Sequence, residues 1–243
     1  MNLVDALLES IEARDETVKN VLVGLHWIGV ESRFSAGMAH VSKGGEGLAL
    51  KDAGAILGRN TREIAARLRS WAALDACLGL AALCSLIEPE GDPVNVNEYI
   101  LSNAPGRVVT CIGRFPFYPK VQRVAKWSYL LEMNPRPREL PLSAAEEVIP
   151  KSDLVVINST TLINKSLQRL LELSRGKTCV VLGPCTPMSD VLFDFGATVI
   201  AGVRVVDPHR LFLSLAQGVM LFRDIQGIQS IARFRDRQNR WKE

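Results

Sequence analysis

The stretch VVLGPCTPMSD, Val180 to Asp190, sets a cysteine and a threonine between two prolines directly after an apolar run that reads as a buried strand. Residues of these types in such a loop admit a metal-thiolate contact, a nucleophile, a phosphate cradle, or only a stiff turn between strand and helix. Thr186 followed by Pro187 has the form of a helix N-cap with proline at the first helical position, an arrangement that needs no ligand. Cys185 would be an activated thiolate at a helix N-terminus if a base stood by, but no histidine is close to it in sequence.

Three further loops have the same setting. The runs RVVTCIG (107–113), KWSYLLEM (126–133), DLVVIN (153–158), TCVVLG (178–183) and ATVIAG (197–202) are short, nearly continuously apolar and alternate with helical patterns. Strands apolar on both faces imply a parallel sheet covered on both sides by crossover helices. In such sheets ligands bind beyond the carboxyl ends of the strands. One edge should therefore gather Gly113, Arg114, Phe115 and Pro116 with Glu132, with Ser159, Thr160, Thr161 and Asn164, and with Gly183, Pro184, Cys185 and Thr186. The third loop leads into LINKSLQRLLEL, where Ile163, Leu167, Leu170 and Leu171 keep helical spacing, so Ser159, Thr160 or Thr161 should cap a helix. One cap needs one hydroxyl, and three lie here beside Asn158 and Asn164.

Several chemistries lack their residues. Glu132 follows Gly113 at about the interval of a ribose-binding acid, but a single glycine followed by Arg114, Phe115 and Pro116 does not make G-x-G-x-x-G, which argues against ordinary NAD binding. A P-loop, G-x-S-x-G and H-E-x-x-H are absent, and Gly44, Gly45 and Gly47 fall in SKGGEG, a loop of the other half. His26 and His40 sit on two expected strands and could meet; His209 follows Asp207-Pro208, where Asp207 suffices as a cap. The basic end, with Arg233, Arg235, Arg237, Arg240 and Lys242, reads as a solvated helix face.

The elements that must position these residues fall into two halves. Leu3, Leu7, Leu8 and Ile11 imply an opening amphipathic helix; VKNVLVGLHWIGVES and RFSAGMAHVS read as antiparallel strands; NTREIAARLRSW starts a helix with Asn60 or Thr61 as cap and Glu63 near the capping-box position. The apolar segment Trp71 to Ile87 is slightly short for a bilayer span and carries Asp75, which would cost roughly 3 kcal/mol near a membrane centre, so it reads as a buried core helix. A break at EPEGDPVNVN places the boundary, giving an α+β unit over 1–90 and a Rossmann-like unit over 91–243. With 243 residues, 47% hydrophobic, 23% charged and a net charge of +3, the chain is long enough for two modest domains and too weakly charged to imply nucleic acid. The acidic, amphipathic start is unlike a signal peptide, and the odd count of five cysteines without C-x-x-C indicates neither a disulfide framework nor a zinc ribbon; a cytoplasmic protein without a membrane partner is the expectation.

Taken together, GRVVTCIGRFP, INSTTLINKSLQRLL and VLGPCTPMSDVLFDFGATVIAGVRVVD resemble the heavy-metal chelation family, long held as a domain of unknown function, over most of the chain. The family's patterns fall on Gly113, Phe115 and Pro116, on Ser159 to Asn164 and on Gly183 to Pro187, while Arg114 and Cys84 depart from it. The resemblance implies an N-terminal domain similar to the enolase N-terminal domain, a Rossmann-like C-terminal domain and an active site in the cleft between them. It also brings in a heavy-metal ion or metal chelate as the implied cofactor. The leading expectation is a small polar or anionic ligand in that cleft, a chelator or metal complex included. Thr160, Thr161, Asn164 and Thr186 would donate hydrogen bonds, helix N-termini would add positive potential, Phe115 would form a wall, and Glu132 would serve as acid, base or metal contact. The alternatives are a nucleotide- or S-adenosylmethionine-dependent enzyme with Glu132 on a ribose, and a metal-binding module using Cys185, Glu132 and a histidine of the first half. A homodimer is the oligomeric expectation.

Overall fold

A computed structural model describes residues 1–14, 16–41 and 49–236. The expected SKGGEG loop lies outside the described residues, as do Arg237, Arg240 and Lys242.

Helix α1 (Leu3–Glu9) is capped by Asn2, whose side chain accepts from the Asp5 N–H, and it buries Leu3 and Leu7. Strands β1 (Asn20–Val23), β2 (Trp27–Glu31) and β3 (Ala36–His40) form an antiparallel meander in that order. The cap of α2 (Thr61–Ala65) is Asn60, accepting from Arg62 N–H and Glu63 N–H; the chain then tightens into a 3-10 turn over Ala66–Arg69.

The apolar segment becomes α3 (Ala73–Leu86), buried on nearly every side. Two glycines explain how neighbours approach so closely. A Cβ at Gly37 on β3 would lie 2.1 Å from Ala81 O, and one at Gly79 would lie 2.2 Å from Leu68 N, so α3 is clamped between the meander and the 3-10 turn. Asp75 at the start of the helix faces Arg67 at 3.5 Å, which accommodates the charge. No described helix is long and apolar enough to cross a membrane.

The second half adds α4 (Val96–Asn103), β4 (Val108–Ile112), α5 (Tyr118–Val124), β5 (Trp127–Glu132), β6 (Leu140–Pro141), α6 (Ala145–Val148) and β7 (Leu154–Asn158). It continues with α7 (Leu167–Leu173), β8 (Thr178–Leu182), α8 (Val191–Asp194), β9 (Val199–Val205), α9 (Pro208–Ala216) and β10 (Ile228–Phe234). The seven strands lie in the order β10-β9-β8-β7-β4-β5-β6, all parallel except β10, which runs antiparallel to β9. This is a mostly parallel α/β sheet whose topological switch falls between β4 and β7, where connections leave toward opposite sides. Arg233 belongs to β10 and pairs with Asp190, and Arg235 follows it in a bend, so the described part of the basic end is an edge strand and its exit rather than the expected helix face. His26 precedes β2 in a turn, while His40 ends β3.

Alternation along the strands divides the sheet's two faces. Val155, Ile157 and Val181 join a core that also contains Leu3, Ile28, Leu78 and Leu83 of the first half; Leu154, Val156 and Val180 join a second core with Ile100 and Val121. A third cluster sets Trp27 and Met38 against Leu211, Phe212 and Leu215 of α9. The Pro- and Gly-punctuated stretch between the halves is also fastened, because Asp92 exchanges both backbone hydrogen bonds with Ala232 at 2.9 Å on β10.

Candidate functional site

The crevice at the switch point is shaped by glycine. Gly113 follows β4 at φ +103, a backbone region that favours glycine, and a Cβ there would lie 2.7 Å from Asn158 Cβ at the end of β7. A Cβ at Gly183, after β8, would come within 2.2 Å of Ser159 Oγ. Both glycines therefore let the loops after β4, β7 and β8 close around Asn158.

Asn158, not one of the three following hydroxyls, caps the turn it opens. Its Oδ1 accepts from Thr160 N–H at 3.0 Å and from Thr160 Oγ1 at 2.9 Å. This fixes the amide orientation chemically and leaves Nδ2 without a partner among the described residues. Thr161 Oγ1 donates to Asn158 O at 2.7 Å. Asn164 repeats the pattern nearer the surface, with Oδ1 accepting from Ser166 N–H and Ser166 Oγ. The expected cap by Ser159, Thr160 or Thr161 is corrected accordingly: the neighbouring asparagine takes the role, the turn is 3-10, and α7 starts only at Leu167.

Thr186 does not cap a helix either. Its hydroxyl donates to Gly183 O at 2.8 Å, closing a turn, and α8 begins at Val191. The protons of Thr160, Thr161 and Thr186 are thus spent within the protein; a ligand would find donors in the asparagine amides and acceptors at the hydroxyl oxygens. Helix dipoles contribute less than expected, since the loops after β4, β7 and β8 lead to short helices or a 3-10 turn.

Cys185 is fully buried. Its Sγ lies 3.1 Å from Ser159 Oγ, and burial, partly offset by that hydrogen bond, pushes the thiol up to about 11. Cys84 and Cys179 are raised by burial as well, Cys179 to about 12. Since the thiolate is the reactive form, a disulfide-exchange reagent such as dithionitrobenzoate at pH 8 is expected to label Cys185 slowly in the native protein and fast only after denaturation. Rapid native labelling mapped to Cys185 by peptide mass would contradict this environment.

Arg114 organises the loop after β5. Its guanidinium grips Glu139 with two hydrogen bonds, Nε to Oε1 at 2.9 Å and Nη2 to Oε2 at 2.6 Å, reaches Asn134 O, and holds Nη1 3.8 Å from Glu132 Oε1. The Arg114 hydrogen bond, aided by the Arg136 N–H, lowers the Glu139 carboxyl from 4.5 to about 2. A carboxyl depressed by folding stabilises the fold above its unfolded value and loses that contribution as pH falls through the folded one. The stability it lends is therefore expected to fade between about pH 4.5 and 2, while in the folded protein the clamp itself holds at pH 4 and lets go only as pH falls toward about 2. Persistence of the dispersed Arg114 Nε–H NMR signal at pH 4, with its loss near pH 2, is the check; its disappearance already at pH 6 would contradict the clamp.

These loops line one cavity of about 910 Å³. Gly113, Phe115, Pro116, Glu132, Thr160, Thr161, Asn164, Gly183 and Pro184 all contribute to its wall, as does Cys185. Thr186 does not: it is buried beneath the loop, beside Met188 and Gly202. Sequence reasoning missed Trp27, the 93–97 segment, and Leu221 to Arg223 before β10; of the two first-half histidines it weighed, His40 lines the cavity, its ring meeting that of Trp27 edge-on at 4.9 Å. All of these come from other parts of the chain, and no local pattern announces them. Asn158 carried a signal, a polar residue at the end of an apolar strand, that the hydroxyls after it obscured.

Residues 95–229 match the DUF364 family model and residues 4–87 the DUF4213 model, both described as "Putative heavy-metal chelation". The chain belongs to the DUF364 family. An uncharacterized protein of Methanocaldococcus jannaschii is 26% identical over 180 residues, covering 69% of this chain and 70% of its own. Crystal structures of two DUF364 proteins of unknown function share the fold. The one from Desulfitobacterium hafniense DCB-2 has a TM-score of 0.84 at 24% identity, covering 96% of this chain and 97% of its own. The one from Pyrococcus horikoshii has a TM-score of 0.78 at 15% identity, covering 96% and 100%. A mandelate racemase/muconate lactonizing enzyme from Roseovarius nubinhibens ISM aligns at a TM-score of only 0.23.

The donors of this DUF364 cavity do not fit a metal ion held by the protein alone. Among the described residues no three His, Cys, Asp or Glu side chains group to hold one. Among the described residues Glu132 is the single carboxylate in the lining and lies 3.8 Å from the Arg114 guanidinium, and the Cys185 thiol is protonated and buried.

Proposed function

We propose that this DUF364 protein binds a small organic molecule, a chelator or its metal complex included, in the cavity between its two halves. The observation that carries the reading is convergence: the carboxyl-end loops of β4, β5, β7 and β8 meet at one cavity whose far wall comes from Trp27 and His40 of the first half. Its volume of about 910 Å³ lies at the upper end of the few hundred to about 1,000 Å³ usual for ligand pockets. Asn158 Nδ2 and Asn164 Nδ2 donate to the ligand, the Thr160 and Thr161 oxygens accept, and Phe115 packs against its body. Gly113, Pro116, Gly183 and Pro184 shape the backbone around it. Glu132, its position set by Arg114, takes a donor or cationic group of the ligand and is the residue placed to move a proton.

Trp27 provides the test, because its ring forms part of the cavity wall. Titration with 1,10-phenanthroline, 8-hydroxyquinoline and citrate, each with and without Zn²⁺, is expected to give a saturable fluorescence change for at least one compound. Trp27→Phe should abolish that change. A panel without any saturable response, or one that survives Trp27→Phe, would rule the reading out.

A further inference from the structure

Most of the cavity lining is aromatic or aliphatic. Phe115 and Phe117 stack with centroids 5.1 Å apart and planes 18° from parallel, and both line the cavity; Trp27, Leu131 and Leu182 extend the apolar surface. The mouth is apolar too. Leu221 and Phe222 line it while remaining 41% and 38% exposed, which leaves apolar surface for an occupant to cover. Their segment runs between Gly218 and Gly227, both at positive φ, and Trp27 Nε1 donates to Met220 O at 3.3 Å, holding the segment against the first half.

Against this surface the charged lining is sparse: Glu132, Arg114 and Arg223, with His40 as a further titratable group. A protein-held soft metal needs three or four ligating side chains, and none of the described groupings supplies them. Arg114, at 3.8 Å from Glu132, opposes a bare cation at the one carboxylate. The polar group in the lining that no partner among the described residues takes is instead a donor, Asn158 Nδ2, beside Gly113.

We infer that the cavity takes a planar aromatic molecule carrying a hydrogen-bond acceptor, and that any metal is brought and held by that molecule rather than by the protein. The inference rests on the cavity binding proposed above and names the ligand class for it. The ring system lies against Phe115 and Trp27, its acceptor meets Asn158 Nδ2, and Leu221 and Phe222 cover its outer edge.

Isothermal titration of the full chain with 1,10-phenanthroline, citrate and ZnCl2, each alone, tests it. Phenanthroline is expected to bind one to one, Phe222→Ser to weaken it about tenfold at unchanged melting temperature, and neither Zn²⁺ nor citrate to saturate. Stoichiometric Zn²⁺ binding that Glu132→Gln or Cys185→Ser removes would overturn the inference, since the protein would then be the metal ligand. Citrate binding that responds to Asn158→Asp, with none for phenanthroline, would overturn the ligand class while leaving cavity binding intact. Absence of binding by all three would overturn both.

Discussion

Gly37→Ala is expected to destabilise the protein by about 3 kcal/mol, the upper part of the range for overpacking a core. The added Cβ would meet Ala81 O at 2.1 Å, Ser85 N at 2.6 Å and Cys84 Cβ at 2.7 Å, all on α3. Two of these are backbone atoms, so no side chain can rotate away; the helix itself must move, and it is packed against the 3-10 turn on its other side. Gly54→Ala is the informative contrast. Nothing lies within 4 Å of a Cβ there, and only the φ of +88 resists substitution, for about 1 kcal/mol. Urea denaturation should show the Gly37→Ala midpoint falling much further than that of Gly54→Ala at similar slope. Equal midpoints would mean that α3 is not clamped as described.

Asn158→Asp should remove most binding at the cavity while sparing the fold. One carboxylate oxygen can replace Oδ1 and keep both hydrogen bonds from Thr160. The other replaces Nδ2, turning the fixed donor into an anionic acceptor that faces a ligand's acceptor. Losing the hydrogen bond and adding repulsion costs about 3 kcal/mol, roughly a hundredfold in affinity. Calorimetry with phenanthroline should show that loss at pH 8 with a melting temperature within a few degrees of the parent, and partial recovery at acidic pH as the new carboxyl protonates. Retained affinity at pH 8 would place the ligand away from Asn158.

Much of the architecture was legible because its cause is local. The runs ending at Ile112, Asn158 and Leu182 are apolar on both faces, as a strand covered on both sides requires, and the centre of the sheet is built from them; the run ending at Glu132 is covered only toward its end. The segment around Leu78 was readable as a core helix since it is apolar all round and carries one charge near its start. The gathering of Phe115, Glu132, Thr161 and Gly183 at one rim followed from the strand-end rule. What failed was hydrogen-bond assignment within loops. A hydroxyl before a helical pattern can cap, donate backward or do neither, and Thr161 and Thr186 both donate backward to nearby carbonyls. Trp27, Leu221 and Phe222 were hidden for a different reason: they reach the cavity through α9 packing on the meander, a pairing of segments nearly two hundred residues apart.

The fastening of Asp92 to Ala232, together with cores that draw on both halves, bears on how a ligand gets in. Two bodies joined by a slack tether could rock apart to admit it; here such rocking would expose core side chains from Leu3 to Ile231. A ligand of the proposed kind would therefore enter through a local opening, and the stretch between Gly218 and Gly227, where Leu221 and Phe222 are exposed beside the cavity, is our candidate for it. Calorimetric melting should likewise show one cooperative peak, and a chain nicked near Gly91 should keep its fragments together under native conditions.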